Sequence, residues 1–254
     1  MYIDIGGEIV KFAVRSHSGM VREINEDSYN IIAAFPGIPA TYIIADGMGG
    51  HNSGEVASKI AVDFASNYIM QNPRAFSGEE GTVETLRDMM KKANADIYAK
   101  SSEHGANFGM GTTMITVVVC GKKLCIGHVG DSRVYIIRDG RIQQITTDHS
   151  YIEELIKKGT LTREEAGSHP QKNVITRALG CSEDVEIDTH VLDIHPADCF
   201  VLCTDGLTNM LEEDEIRGVV EGSLNPEAAC EELIRKANEK GGEDNITVIV
   251  IKND

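Results

Sequence analysis

Apolar residues recur along the chain with two periods, and each period predicts an element. Residues 43–45 (Ile, Ile, Ala) read as a buried strand that delivers Asp46 at its end and enters a turn containing Gly47, Gly49 and Gly50. Residues 29–34 form an earlier strand-like run, preceded by a turn at Ser18 and Gly19 and the polar stretch 22–27. Ala57, Ala61, Phe64, Ala65 and Tyr68 lie on one face of a predicted helix over 55–70. Val83, Leu86, Met90, Ala93 and Ile97 do the same over 83–98, so two helices are expected to cover one side of a sheet. From residue 113 the period shortens, predicting strands at 113–120, 124–129, 134–138, 141–145, 199–204 and 246–251. Asp139-Gly140 joins two of them as a two-residue hairpin signal. Ser150 with Glu153, and Thr162 with Glu165, fit capping boxes and predict two short helices within 148–177, an excursion read as a mobile flap. His149 and His169 within it are weak ligand candidates, since an isolated histidine is more often structural. Helices are predicted over 211–220 and from an Asn225 cap with Pro226 in the first turn.

Composition narrows the partners. The chain of 254 residues carries 24 basic and 40 acidic side chains, a formal charge of -16. That balance opposes binding to nucleic acid or to an anionic membrane surface. No apolar run approaches the roughly 20 residues of a membrane helix. The N-terminal stretch with Asp4 and Glu8 lacks a basic segment before an apolar one. A soluble, cytoplasmic protein is expected. The six cysteines form no C-x-x-C pair and read as reduced, mostly core thiols. With no linker, repeat or low-complexity tract, a single domain over 1–254 is expected.

The candidate chemistry comes from acids at strand ends. Asp-Gly after a strand is the commonest hairpin signal, and Asp139-Gly140 shows that reading in its plain form. Asp46, Asp131, Asp205 and Asp244 differ because each is predicted at a strand terminus, so all four can meet on one rim. Converging carboxylates repel one another unless cations are present. Oxygen-only ligands select hard ions such as Mg²⁺ or Mn²⁺ over zinc. Two such ions, about 3.5–4 Å apart, hold and acidify a bridging water and clamp the oxygens of a phosphoryl transfer. Arg22 offers a planar fork for phosphate, and Glu26 and Asp27 lie close by in sequence. No G-x-G-x-x-G, P-loop, G-x-S-x-G or C-x5-R motif competes.

The segments 19–28 (GMVREINEDS), 45–58 (ADGMGGHNSGEVAS), 109–113 (GMGTT), 130–133 (GDSR), 204–207 (TDGL) and 243–245 (EDN) together resemble the metal-dependent protein phosphatase family, type 2C, in its compact bacterial form. The resemblance spans nearly the whole chain. It implies an α+β fold, a four-layer α/β/β/α sandwich of two antiparallel sheets flanked by helices. It also implies a phosphoserine and phosphothreonine phosphatase using two Mg²⁺ or Mn²⁺ ions and a third, weaker one. By motif position Asp46 would bridge both metals, the Gly47 carbonyl would serve one, Asp205 and Asp244 the other, and Asp131 the third. Arg22 would hold phosphate, and Glu26 and Asp27 would orient waters. Many eukaryotic members have a histidine, the proposed general acid, where this chain has Met48, which leaves His51 or a water as the proton donor. Phosphoprotein substrates, a cognate Ser/Thr kinase and a monomer are implied partners and state. The runner-up readings are a non-catalytic phosphoprotein-binding module and a narrow phosphatase for phosphorylated anti-sigma antagonists.

Overall fold

A computed structural model describes residues 1–5, 8–33, 35–49, 53–103, 109–167 and 169–253. In chain order the elements are β1 (Tyr2–Ile5), β2 (Glu8–His17), β3 (Asp27–Ile32), β4 (Thr41–Met48), α1 (Ser53–Gln71), α2 (Gly78–Ser101), β5 (Gly111–Thr112), β6 (Met114–Cys120), β7 (Lys123–Val129), β8 (Arg133–Arg138), β9 (Arg141–Gln144), α3 (Tyr151–Lys157), α4 (Arg163–Ala166), β10 (Asp188–Asp193), β11 (Cys199–Cys203), α5 (Asp205–Thr208), α6 (Glu213–Gly222), α7 (Pro226–Glu239) and β12 (Ile246–Asn253). They build two antiparallel sheets, ordered β1-β2-β12-β11-β8-β9 and β10-β7-β6-β4-β3, with β5 added beside the end of β4.

Strand alternation assigns the layers. On β4, Tyr42 and Ile44 face the other sheet while Ile43 and Ala45 face α1 and α2. On β11, Phe200 and Leu202 enter the inter-sheet core while Val201 and Cys203 face α6 and α7. The central strands are therefore apolar on both faces, which explains their continuous apolar runs. Phe12 meets Tyr42 edge-on across the two sheets at 5.4 Å between centroids. Each such buried side chain contributes about 1.5–3 kcal/mol, against about 0–1 kcal/mol for a surface ion pair. The three apolar layers, rather than the many surface pairs, hold the sandwich together. The α+β sandwich implied by the sequence is the fold observed.

Several local expectations are borne out by geometry. Asp139 and Gly140 both take positive φ, 51° and 70°, as a type I′ hairpin requires. Thr162 and Glu165 make both arms of a capping box, Ser150 accepts from the Glu153 N–H, and Asn225 caps α7 through the Ala228 N–H. None of the six cysteines forms a disulfide. No helix among the described residues is long and apolar enough to cross a membrane.

Other boundaries moved. Strand β4 runs two residues past Asp46, because Gly47 and Met48 pair with Thr112 and Gly111 of β5. Helix α6 starts at Glu213 rather than 211, since Glu212 and Glu215 cap it reciprocally. The edge strand β10 escaped the sequence pattern because no residue in it is fully buried, and two-residue β5 is too short to carry a period.

Candidate active site

Asp46 is fixed by its backbone before its side chain is considered. Its N–H donates to Thr113 Oγ1 at 2.9 Å, and its carbonyl accepts from the Thr113 N–H and the Thr112 hydroxyl. Thr113 Oγ1 also lies 2.8 Å from Ser132 Oγ, in the turn that carries Asp131. The 109–113 segment therefore acts as a bracket between Asp46 and Asp131. Met48 lies at the end of β4, whereas His51 lies outside the described residues.

Directly across from Asp46 in the β3–β4 register stands Asp27. Its Oδ2 accepts from the hydroxyls of Thr204 and Thr247, at 3.0 and 2.7 Å, so it ties one sheet to the other at the site. Its Oδ1 is buried without a hydrogen-bond partner. The sequence predicts a polar loop around Asp27, whereas the structure places it in β3 with its side chain buried. Thr204 belongs to the 204–207 motif without being an expected site residue, and Thr247 sits in an otherwise apolar run.

Gly47 and Glu26 set the floor of the site. The Gly47 N–H donates to the Glu26 carbonyl at 3.2 Å, and the Glu26 N–H donates to Asn245 Oδ1 at 2.7 Å. The Glu26 carboxylate accepts from the N–H groups of Gly54 and Glu55 in the first turn of α1, where a negative charge complements the helix dipole. Burial nevertheless pushes its pKa up. A Cβ on Gly47 would stand 2.0 Å from the Gly54 carbonyl oxygen and 2.7 Å from that of Glu26, both backbone. Gly47→Ala is expected to cost about 1–3 kcal/mol, the penalty of overpacking. Thermal unfolding should show it, with Gly218→Ala, whose Cβ meets open space, unchanged or slightly stabilised; equal midpoints for the two variants would contradict the close approach.

Asp205 opens α5, where Asn209 one turn later donates to its Oδ2 at 3.0 Å. Asp244 precedes β12 by two residues; its Oδ1 accepts from the Asn245 N–H, and its Oδ2 receives Arg22 Nη2 at 2.8 Å. Arg22 is half-exposed at the rim. Asn245 also donates to the carbonyls of Ser18 and Ile24, so one side chain holds the Arg22 loop against the Asp244 bend. Asn245 belongs to the 243–245 motif, where the sequence singles out only Asp244 as a site residue.

The acids interact as one set. Burial, then the charges of Asp27, Asp205, Asp131 and Asp244, hold Asp46 well above the usual carboxylate range. Burial and the neighbouring acids likewise push Asp27 up to about 7 and Asp131 to about 8. Burial and Asp244 raise Asp205, offset in part by hydrogen bonds to Asn209 and Asp46. A carboxyl–carboxyl hydrogen bond between Asp46 and Asp205 requires a proton on one of them.

These features fit a hard divalent cation. The donors are all oxygen, the Oδ1 atoms of Asp27 and Asp131 are buried without partners, and bound cations would relieve the mutual repulsion that otherwise holds protons on these acids. Among the described residues, no three side chains already enclose an ion. In this arrangement the acids are instead held on Arg22, Asn209, Thr204 and Thr247. His149 and His169 are not ligands of this set: His149 is bonded to Gly130, and His169 accepts from the Gln171 N–H. A cleft of about 570 Å³ beside Arg133, Tyr135, Arg141 and Thr208 contains none of the acids.

With this geometry in hand, the chain compares with known proteins over nearly its whole length. Residues 16–240 match the family model described as Protein phosphatase 2C. The chain is 39% identical over 243 residues to the serine/threonine phosphatase stp of Listeria monocytogenes, covering 94% of each. It superposes on the S. agalactiae serine/threonine phosphatase with a TM-score of 0.88, at 35% identity over 95% of this chain and 98% of that one. A third likeness, with a TM-score of 0.81 and 32% identity over 96% and 98% of the two chains, is to the catalytic domain of the serine/threonine protein phosphatase PstP in complex with two manganese ions.

Proposed function

Because this chain belongs to the protein phosphatase 2C family and is a protein serine/threonine phosphatase, we propose that it hydrolyses phosphoserine and phosphothreonine with the help of two Mg²⁺ or Mn²⁺ ions. The observation that carries the metal dependence is the set of buried, mutually repelling acids around Asp46. Asp46 and the Gly47 carbonyl, with Asp205 and Asp244, would hold the two ions, and Asp131 a third, weaker one. Bound there, the ions supply Lewis-acid stabilisation of the phosphoryl group and activate water.

The protein's own groups do the rest. Arg22, held over the rim by Asp244, presents two N–H donors to the outer phosphate oxygens. Asp27 has a free buried oxygen with which to orient a water, while Glu26 fixes the start of α1 beside Gly47. His51 is the proposed donor of a proton to the departing serine or threonine oxygen. The whole chain, 1–254, acts as one catalytic domain, with 148–177 as the flap over substrate access. It works as a cytoplasmic monomer on phosphoproteins modified by a cognate Ser/Thr kinase; its charge of -16 disfavours nucleic acid.

Phosphate release from a phosphothreonine peptide, measured with Mn²⁺ and with excess EDTA, tests this. Chelation is expected to slow release at least about 10²-fold. A rate indifferent to EDTA would remove the metal from the reaction, and tight peptide binding without release would favour a binding module instead.

A further inference from the structure

We propose that His149 is a positioning residue that clasps the Asp131 turn to the base of the 148–177 segment. This rests on the reading of Asp131 as a metal-binding acid. His149 is almost fully buried, at 6% exposure. Its backbone N–H donates to the Gly130 carbonyl at 2.8 Å, and its Nδ1 accepts from the Gly130 N–H at 3.0 Å. One residue thus satisfies both backbone groups of the residue preceding Asp131. The His149 carbonyl accepts from the Thr176 N–H at 2.8 Å, so the same residue also gathers the far end of the segment. Beside it, Ser150 bridges to Ile175 and the Tyr151 N–H donates to the Val174 carbonyl.

The other side of the ring is anchored as firmly. An Nδ1 that accepts leaves the ring proton on Nε2, which lies 3.2 Å from Asp188 Oδ2. Arg177, the last residue of the segment, donates to Asp188 Oδ1 at 2.6 Å and packs 3.0 Å from the same Nε2. His128, paired with Asp188 in the β7–β10 register, stacks on the ring at 4.8 Å between centroids. Gly130 itself has φ +108°, and a Cβ there would fall 2.5 Å from the Thr113 side chain. Gly130 is therefore pinched between Thr113, which fixes Asp46, and His149, which fixes the segment. A displacement of the segment base cannot leave Asp131 where it stands. The arrangement couples the state of the 148–177 segment to the acid proposed for the weakest ion.

Two substitutions separate the clasp from simple packing. Asn places Oδ1 where Nδ1 stood, so His149→Asn keeps the acceptor for Gly130 and loses Asp188; His149→Leu loses both. Hydrogen exchange of the Gly130 amide and calorimetric Mn²⁺ titration are the readouts, alongside kcat and KM for a phosphopeptide. His149→Leu is expected to speed Gly130 exchange about 10-fold and weaken the last-bound Mn²⁺ about 10-fold, the lower end for groups that orient metal ligands. KM should move less than kcat. His149→Asn should restore both readouts to within about 3-fold. Unchanged exchange and titration in His149→Leu, or no recovery in a folded His149→Asn, would overturn the proposal. If His149→Leu does not fold, Asp188→Asn serves, with exchange expected to rise about 3-fold and an unchanged rate counting against the clasp. A parent chain that binds no Mn²⁺ would sink the metal reading alone, since Gly130 exchange still decides the clasp.

Discussion

Asp46→Asn is expected to lower phosphate release by about 10³-fold while raising the unfolding temperature of the metal-free chain. Both effects follow from one charge. Asp46 sits opposite Asp27 and is repelled by Asp27, Asp205, Asp131 and Asp244. Its carboxylate is the group that two cations would share, so an amide of the same shape removes the strongest attraction for them. In the metal-free chain that same carboxylate is a liability. An amide cannot ionise, and its N–H₂ can donate to Asp205 as the protonated acid does. A gain of about 1–2 kcal/mol from relieved repulsion corresponds to a few degrees. The backbone bonds to Thr112 and Thr113 do not involve the side chain and should survive. A fully active Asp46→Asn protein would refute the bridging role, and lost activity with a lowered unfolding temperature would point to folding instead.

How much of this was legible in the sequence depended on whether the signal was local. The acids at 46, 131, 205 and 244 follow apolar runs or turn residues, and that pattern survives even though Asp46 proves to lie inside β4 and Asp205 to open a helix. The hairpin at Asp139-Gly140 and the caps at Thr162 and Asn225 depend on residues within three positions of each other, and they appear as expected. What escaped was set by distant partners. Asp27 is buried by threonines 177 and 220 positions away, and Asn245 reaches back to Ser18 and Ile24. His149 looked like an isolated histidine because its partners, Gly130, Arg177 and Asp188, are joined to it only by the fold. The pair Asp205 and Asn209, four apart on one helix face, was findable by spacing had the helix been recognised.

In EDTA, the unfolding temperature is expected to fall as pH rises from about 6.5 to 8. The falling limb comes from the acids. Asp27 and Asp131 are raised from 3.8 to about 7 and about 8 in the folded chain. Between those limits the folded state holds protons that the unfolded state has released, so the contribution of these acids to stability is full below about 3.8 and is lost as pH rises through the folded values. Below 6.5 the buried histidines act in the opposite sense. Burial drives His128 down to about 3 and lowers His149 and His190 as well. Through these histidines the unfolded chain binds more protons below about 6.5, which offsets the acids there. The window from 6.5 to 8 therefore isolates the carboxylates, with a slope of up to about 1.4 kcal/mol per pH unit for each proton difference. Saturating Mn²⁺ should flatten or invert that limb, because ligand carboxylates must be deprotonated and metal affinity rises with pH. Asp46→Asn should make it shallower without metal. A parent profile in EDTA that stays level between pH 6.5 and 8 would mean that the acids do not press on one another, and the electrostatic case for a metal centre at Asp46 would fall with it.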